Sequence, residues 1–408
     1  MSTDPTTLAQ EVNPRLRGLF LKNLADFQTE LGRIHAGYVP LMTNWPQRKE
    51  LPGLVFRTMR RVQDLRIRGR ELGVSFQEMH FSAATAGRPI LDALCLAETP
   101  ADVLQGTIVA VSEVLLGAID DYFGRNDPLY DQPTVPVLTA DREELATQIA
   151  WAKAGLAAIG SPAESAFVVK LRAQLAELPK LLREHNARSA EPLRESRRNG
   201  RLPIAQATLP EGFRHLEYGP AAMPPDNVYP DRERYHAINF LQEVQAADSC
   251  ASMLFEAPDM PWDFYFDLSR HMWDESRHAM FGEKKLMALG SSAAQAGLSV
   301  KAYTMRQTLS PLDRYAALTT QEADAFPTKH VGLKDAVAHG DSVSAMAWSY
   351  DIADETQHVR YGARWLPVMI EKIREPRSLE QVRGDAENWR VTVLAEVYKP
   401  AATWRDRR

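Results

Sequence analysis

A nine-residue pattern occurs twice in the chain and limits the folds that the chain can adopt. Residues 274–282 read DESRHAMFG and residues 354–362 read DETQHVRYG, so Asp, Glu, His and Gly recur at the same places. In an α-helix, residues i and i+3 lie about 60° apart around the axis, so the Glu and His of each copy project from one face. The repeat therefore predicts two long helices, each presenting a carboxylate and an imidazole on one face.

Helical periodicity dominates the rest of the sequence, and runs that alternate at strand period are hard to find. The pattern predicts helices at roughly 15–36, 51–73, 101–124, 141–158, 163–185, 231–257, 262–289, 311–326, 333–338, 341–373 and 377–397. Of the 408 residues, 45% are apolar and 25% are charged, which is ordinary for a globular protein with a buried core. We therefore predict an all-α fold in four parts. These are a helical region at 1–185, for which a degenerate bundle is an alternative, a Pro-, Gly- and Arg-rich connector at 186–230, a four-helix region at 231–375, and a C-terminal helix and tail at 376–408.

Charge and cysteine content argue against several classes of protein. The formal charge of −5 gives no electrostatic reason to expect nucleic acid or an anionic membrane as a partner. Only Cys95 and Cys250 are present, far apart, which favours neither a disulfide framework nor a thiolate metal site. We find no signal-peptide pattern and no apolar run near the roughly 18 residues that a membrane span needs, so we expect a cytoplasmic protein.

The two Glu-x-x-His pairs contain the residue types of a metal site. Glu275 with His278 and Glu355 with His358 each combine a carboxylate with an imidazole, which suits iron or manganese, with zinc as an alternative. A single pair of this kind on an amphipathic helix is common by chance and is usually solvated. Two copies that share the flanking Asp and Gly, both among apolar neighbours, favour metal binding.

A helical bundle that holds two metal ions also needs a carboxylate from each of its other two helices. Two helices of about 25 residues joined by a short loop place groups of equal height roughly 30–35 residues apart. Glu243 lies 32 residues before the Glu of the first copy, and Glu322 lies 33 residues before the Glu of the second. These two are our candidate ligands, and Glu256 and Asp324 are the second choices.

The order Glu, Glu-x-x-His, Glu, Glu-x-x-His over residues 231–375 resembles the ferritin-like dinuclear carboxylate superfamily, in its oxygenase and oxidase branch. The resemblance implies a C-terminal ferritin-like four-helix bundle with an additional N-terminal helical region. It also implies two iron ions as cofactor, with manganese or a mixed iron and manganese pair as alternatives. One ion is expected at Glu243, Glu275 and His278, and the other at Glu322, Glu355 and His358.

Further residues stand close to these ligands in the sequence. In such bundles an Asp before the ligand Glu, here Asp274 and Asp354, commonly accepts the free N–H of a ligand histidine. His271 lies one turn before Glu275 and is either an extra ligand or an outer residue. It resembles the third histidine of the arylamine N-oxygenases, although in that family the extra histidine accompanies the second pair. Asp351 takes the equivalent place in the second copy.

Gly282 and Gly362 follow the two histidines by one turn. A glycine in a helix interior costs about 1 kcal/mol relative to alanine, so two matched glycines need a reason. We expect close helix approach or space for a ligand at these positions.

The N-terminal region contains a spacing similar to that between the first lone carboxylate and the first repeated Glu. Glu113 and Glu144 lie 31 residues apart, but Thr147 stands where a histidine would be needed. We therefore expect this region to be structural, either covering the bundle or forming a dimer surface. Chance spacing is the alternative.

These residues together predict oxygen chemistry. Two metal ions held by carboxylates and histidines can activate O2 beside an organic substrate. We expect a non-haem dinuclear iron oxygenase or oxidase, with N-oxygenation and hydroxylation as alternative reactions. Its partners would be O2, a small-molecule substrate and an electron donor that the sequence does not identify, and a homodimer is one assembly to test. The competing hypothesis is a manganese-catalase-like or metal-binding ferritin-like protein without an organic substrate.

An aromatic-rich segment precedes the first copy of the repeat and offers candidate substrate contacts. These are Phe264, Phe266 and Trp273. Simple core packing is the alternative for each of them.

Overall fold

The computed structural model describes residues 13–74, 82–160, 163–183, 207–217, 228–257 and 260–394. Within these ranges the chain is helical, and the one β-type pairing recorded is an isolated bridge between His215 and Leu298. The all-α prediction is confirmed for these residues. Most of the expected connector at 186–230 lies outside the described residues, as does the tail after residue 394.

The chain divides into two compact units. The first comprises Met1–Tyr38 and Leu54–Leu202, and the second comprises Val39–Gly53 and Pro203–Arg408. The described helices of the first unit, with α2 shared between the units, are α1 (Pro14–Tyr38), α2 (Trp45–Glu71), α3 (Ser82–Leu94), α4 (Pro100–Asp102), a π-helical stretch (Val103–Ala110), α5 (Val111–Gly124), α6 (Thr134–Ala158), α7 (Ala166–Leu175) and α8 (Leu178–Arg183).

One stretch of the first unit differs from the expectation that no apolar run is long enough to cross a membrane. α4, the π-helical stretch and α5 run together over Pro100–Gly124, which passes the test of length and hydropathy for a membrane span. In its most apolar window, 72% of this stretch is buried inside the structure, where it packs against α6. Such burial is typical of a core helix of a globular unit.

The second unit holds both copies of the repeat. α11 contains the first copy and packs against the consecutive helices α9 and α10, while α15 contains the second copy and packs along α14. α11 also contacts α15, and α10 contacts α14, so these five helices pack around a common interior. The described helices of this unit are α9 (Tyr229–Gln242), α10 (Val244–Glu256), α11 (Trp262–Ala288), α12 (Ala293–Ala296), α13 (Lys301–Arg306), α14 (Pro311–Ala338), α15 (Ser342–Ile373) and α16 (Leu379–Trp389).

Two helix boundaries in this unit differ from the sequence prediction. The pattern predicts separate helices at 311–326 and 333–338, but α14 continues through Pro327. Proline in a helix interior removes one backbone donor and crowds the preceding turn. Because α14 buries Glu322, Lys329 and Gly332 on the face that it packs inward, this packing outweighs the local cost. Conversely, a helix predicted over 231–257 is interrupted at Glu243, which separates α9 from α10.

The matched glycines mark close contacts between helices. A Cβ atom on Gly282 of α11 would lie 2.5 Å from the backbone nitrogen of Leu241 in α9 and would also meet the carbonyl oxygen of Ala237. A Cβ atom on Gly362 of α15 would lie 2.7 Å from the Cβ of Thr319 in α14. Both glycines therefore permit the close approach of a neighbouring helix, which brings the side chains one turn earlier into the interior.

Candidate metal centre

Four side chains from three helices converge at a first position in the interior of the second unit. His271 and Glu275 come from α11, Glu322 from α14 and His358 from α15, and their ligand atoms all lie within 4.8 Å of one another. The Nε2 of His271 lies 2.8 Å from Glu322 and 3.4 Å from Glu275. All four side chains are buried, so their polar atoms face one another instead of water.

A second position lies next to the first and shares Glu275 with it. Here the Nδ1 of His278 lies 3.1 Å from Glu243, 3.8 Å from Glu275 and 3.4 Å from Asp351. Glu355 joins His278 and Asp351 in a further group whose ligand atoms are within the same 4.8 Å limit.

The six ligands predicted from the sequence are thus brought together, but their grouping differs from the expected one. Glu322 and His358 lie at the first position with His271 and Glu275. Glu355 instead groups with His278 at the second position, although one of its oxygens is also 3.4 Å from the Nδ1 of His358.

Unpaired buried atoms test whether these residues suit a metal ion. Buried polar atoms are nearly always hydrogen-bonded, and an atom without a partner needs a reason such as an ion. Each of the six predicted ligands has a buried side-chain atom that lacks a hydrogen-bond partner among the described residues. These atoms are Glu243 Oε2, Glu275 Oε1, His278 Nδ1, Glu322 Oε2, Glu355 Oε2 and His358 Nδ1. The donor set of oxygens and imidazole nitrogens suits iron or manganese.

The two Asp residues of the repeat hold the ligand histidines crosswise. The Nε2 of His278 lies 3.3 Å from Asp354 on the other copy, and the Nε2 of His358 lies 3.4 Å from Asp274. Each histidine therefore turns its second nitrogen, Nδ1, toward the interior carboxylates. A carboxylate partner of this kind fixes the tautomer and orientation of a ligand imidazole.

Two arginines, which the sequence reasoning did not single out, complete this outer layer. Arg270 donates to Asp274 at 2.7 Å and to Asp354 at 3.4 Å, and Arg277 donates to the same two carboxylates at 2.7 and 3.1 Å. Burial alone would raise the pKa of Asp274, but the bonds from His358 and Arg270 hold it at about 2. Asp274 is therefore ionised and accepts hydrogen bonds.

Glu275 is the carboxylate that the histidines surround most closely. Its oxygens lie 3.4 Å from His271, 3.8 Å from His278 and 3.3 Å from His358. Burial alone would raise the pKa of Glu275, but the three surrounding imidazoles outweigh it and hold the pKa well below its usual value. Glu275 is the carboxylate that the two positions share.

Lys329 is the main residue that the sequence reasoning missed. Its ammonium lies 2.6 Å from Asp351, 2.9 Å from Glu355 and 3.8 Å from Glu243, and only 7% of the side chain is exposed. Burial alone would lower the pKa of Lys329, but these carboxylates raise it well above its usual value, so the side chain is charged. The available signal was its position seven residues after Glu322, which places both on one face of α14.

Other candidates from the sequence lie elsewhere. Glu256 pairs with Arg314, and Asp324 is exposed and pairs with Arg390, so neither second-choice carboxylate joins the cluster.

His236 of α9 and the three aromatic candidates are packing residues. His236 packs edge-to-face against Trp348 with 5.1 Å between ring centroids. Phe264 is buried and packs edge-to-face against Tyr315 and Trp365. Phe266 stacks on Trp262, and the ring of Trp273 lies over Gly53, so each of the three aromatic candidates contributes to packing.

The paired carboxylates of the first unit do not form a comparable site. Glu113 is partly exposed and pairs with Arg172 and Lys153, while Glu144 accepts two hydrogen bonds from Arg57. Thr147 donates to a carbonyl of its own helix. Each carboxylate is therefore compensated by a separate cation near the surface.

Comparison with known proteins adds one finding. A family model described as "Protein of unknown function (DUF455)" matches residues 179–396, a range that contains every residue of the candidate metal centre. No curated protein and no solved structure matches the chain. The functional argument therefore depends on the geometry of the site.

Proposed function

This chain belongs to the family described as protein of unknown function DUF455, and we propose from its metal centre that it is a non-haem dinuclear iron protein that activates O2. It would act as an oxygenase or oxidase on a small molecule. The observation that carries the proposal is the convergence of buried, unpaired nitrogen and oxygen atoms from all six predicted ligands.

Packing supports the further proposal that the second unit is a ferritin-like four-helix bundle. Of the lone carboxylates, Glu243 lies between α9 and α10, and Glu322 lies in α14. The Glu-x-x-His pairs come from α11 and α15. This is the distribution of ligands that ferritin-like dinuclear carboxylate proteins have. The likeness is one of residue types and their helices.

The residues of the chain have separable tasks in this proposal. A bound pair of ferrous ions would supply two electrons to O2. Glu275 would help to hold both ions, while Asp274 and Asp354 keep each of the two histidines in the tautomer whose Nδ1 faces inward. Glu243 is the most exposed of the six ligands, with 25% of its side chain accessible, so a small molecule would enter beside it.

The test is oxygen uptake by protein freed of metal and then supplied with ferrous iron. We expect one O2 to disappear for every two ferrous ions oxidised, because O2 takes up two electrons and two protons to become hydrogen peroxide. Glu275→Ala should abolish this uptake. As a control, Glu113→Ala removes a carboxylate of the first unit and should leave uptake unchanged.

Two outcomes would contradict the proposal. One is ferrous iron that binds and stays reduced in air at the rate of free iron. The other is rapid release of O2 from added hydrogen peroxide by a manganese-loaded form, which would favour the manganese-catalase-like function instead.

A further inference from the structure

The two metal positions differ in the charges that already face them. Around the first position, with His271, Glu275, Glu322 and His358, the described residues place no lysine or arginine in contact with a carboxylate of the group. The second position contains a buried ammonium. Lys329 contacts Asp351, Glu355 and Glu243, three of the carboxylates that would surround an ion there.

Helix packing holds Lys329 in this place. The residue lies on the inward face of α14, two turns after Glu322 and one turn before Gly332. The ring of Trp348 from α15 lies against Gly332, so α14 and α15 approach closely just beyond the lysine. An ammonium in such an interior is stable only beside carboxylates, and its shortest contact is with Asp351.

The residue four places before each repeated Glu explains the difference between the two positions. In the first copy it is His271, whose Nε2 faces Glu275 and Glu322. In the second copy it is Asp351, which is fully buried and accepts a hydrogen bond from Lys329 at 2.6 Å. One copy therefore adds an imidazole, and the other adds a carboxylate together with an ammonium.

We propose that Lys329 and Asp351 make the two metal positions unequal. The first ion binds beside His271, and the second ion must displace the Lys329 ammonium from Glu355 and Glu243. Asp351 remains the partner of the displaced ammonium and is not a ligand. This inference rests on the proposed dinuclear site and adds an order of loading to it. Repulsion between an ammonium and a divalent ion at close distance is the physical cause.

The experiment is a titration of metal-free protein with Co²⁺ in the absence of O2. Calorimetry and visible absorption measure the binding. For the wild type we expect one tightly bound ion and a second that binds at least about tenfold more weakly. Lys329→Met should tighten the second ion and leave the first unchanged. Lys329→Arg keeps the charge and should keep the inequality, and Lys334→Met, which removes an exposed lysine of the same helix, should behave as the wild type.

A double variant guards against loss of folding, because Lys329→Met alone leaves Asp351 buried without its cation. Lys329→Met with Asp351→Asn removes both charges and should bind two ions of similar affinity. If Asp351 were instead a ligand, the double variant would bind the second ion more weakly than Lys329→Met.

Mn²⁺ gives a spectroscopic check of the same order. With one equivalent, the wild type should show the six-line electron paramagnetic resonance signal of an isolated ion, and Lys329→Met should show more of the coupled signal of an ion pair.

The inference and the proposed function can fail separately. Two ions of equal affinity in the wild type, or a ratio of affinities that Lys329→Met does not change, would overturn the inference and leave the oxygen chemistry standing. Unequal binding of Co²⁺ with no O2 uptake by the iron form would retain the inference and reject the function. Protein that binds no divalent ion would reject both.

Discussion

The two copies of the repeat match at Asp, Glu, His and Gly, yet α11 and α15 use them unequally. Glu275 of the first copy lies within 3.8 Å of three imidazoles, whereas Glu355 of the second copy lies 2.9 Å from an ammonium and 3.4 Å from the nearest imidazole. The difference arises from residues outside the matched positions. A short motif therefore determines which side chains reach a site, while the residues around the motif determine the charges next to each side chain.

Substitution of the two repeated glutamates should change the metal content by different amounts, and this is the largest difference that we predict. Because Glu275 takes part in both positions, Glu275→Ala should remove both bound ions. This loss is larger than the decrease of about 10–100-fold in metal affinity that follows removal of an orienting partner. Glu355→Ala should spare the ion at the first position. Metal content after gel filtration measures the difference, and equal losses in the two variants would show that the copies are equivalent.

The side chains of the buried cluster could be predicted from the sequence because helix geometry ties them to one another. Glu243 and Glu322 follow from the length of a helical hairpin, and both lie in the cluster. Lys329 did not follow, because a lysine at helical spacing is usually solvated and nothing in the local pattern shows that three carboxylates from other turns and helices surround it.

Other features required the packed structure for a similar reason. The pairing of Asp274 with His358, and of Asp354 with His278, depends on how α11 lies against α15. The continuation of α14 through Pro327 depends on packing that a local pattern does not contain. α3 (Ser82–Leu94) was not among the predicted helices, because its Ala-, Gly- and Pro-containing sequence weakens the helical signal.

The matched glycines provide the next contrast. A methyl group on Gly282 meets backbone atoms of α9, whereas a methyl group on Gly362 meets the Cβ atom and both branches of Thr319, a β-branched side chain that is stiff at χ1. We expect Gly282→Ala to lower the free energy of unfolding by about 1–3 kcal/mol, as overpacking does. Gly362→Ala should also destabilise by overpacking, by about 1–2 kcal/mol, because its closest contact is the Cβ of Thr319 at 2.7 Å and not the backbone of a neighbouring helix. Urea unfolding of the metal-free protein measures both, and a more damaging Gly362→Ala would reverse the contrast.

Substitution of Asp274 and of Asp354 should each weaken metal binding at a different position. Asp274→Asn loosens His358 and should weaken the first position by about 10–100-fold, whereas Asp354→Asn loosens His278 and should weaken the second. Stepwise Co²⁺ titration distinguishes the two. If each Asp served the histidine of its own copy, the two variants would exchange their effects.

The smallest difference that we predict concerns the stability contributed by His236, a histidine that lies outside the buried cluster. His236 lies on α9, seven residues before Glu243, yet it packs against Trp348 outside the metal cluster. Burial lowers the pKa of His236 to about 4, and Asp335 only partly offsets this effect. By contrast, the interior carboxylates raise the pKa of His278 despite its burial.

A folded-state pKa below the unfolded value means that protonation favours unfolding. The stability that neutral His236 contributes is therefore complete above about pH 6.5 and is lost as the pH falls toward 4. Between pH 7 and pH 5 we expect a loss of about 1–2 kcal/mol from this group. His236→Phe keeps an aromatic ring against Trp348 and removes the titrating nitrogen, so the metal-free variant should lose less stability than the wild type over this range. Parallel curves for the two proteins would show that the pKa of His236 is the same in the folded and unfolded states, which would contradict the contrast with His278.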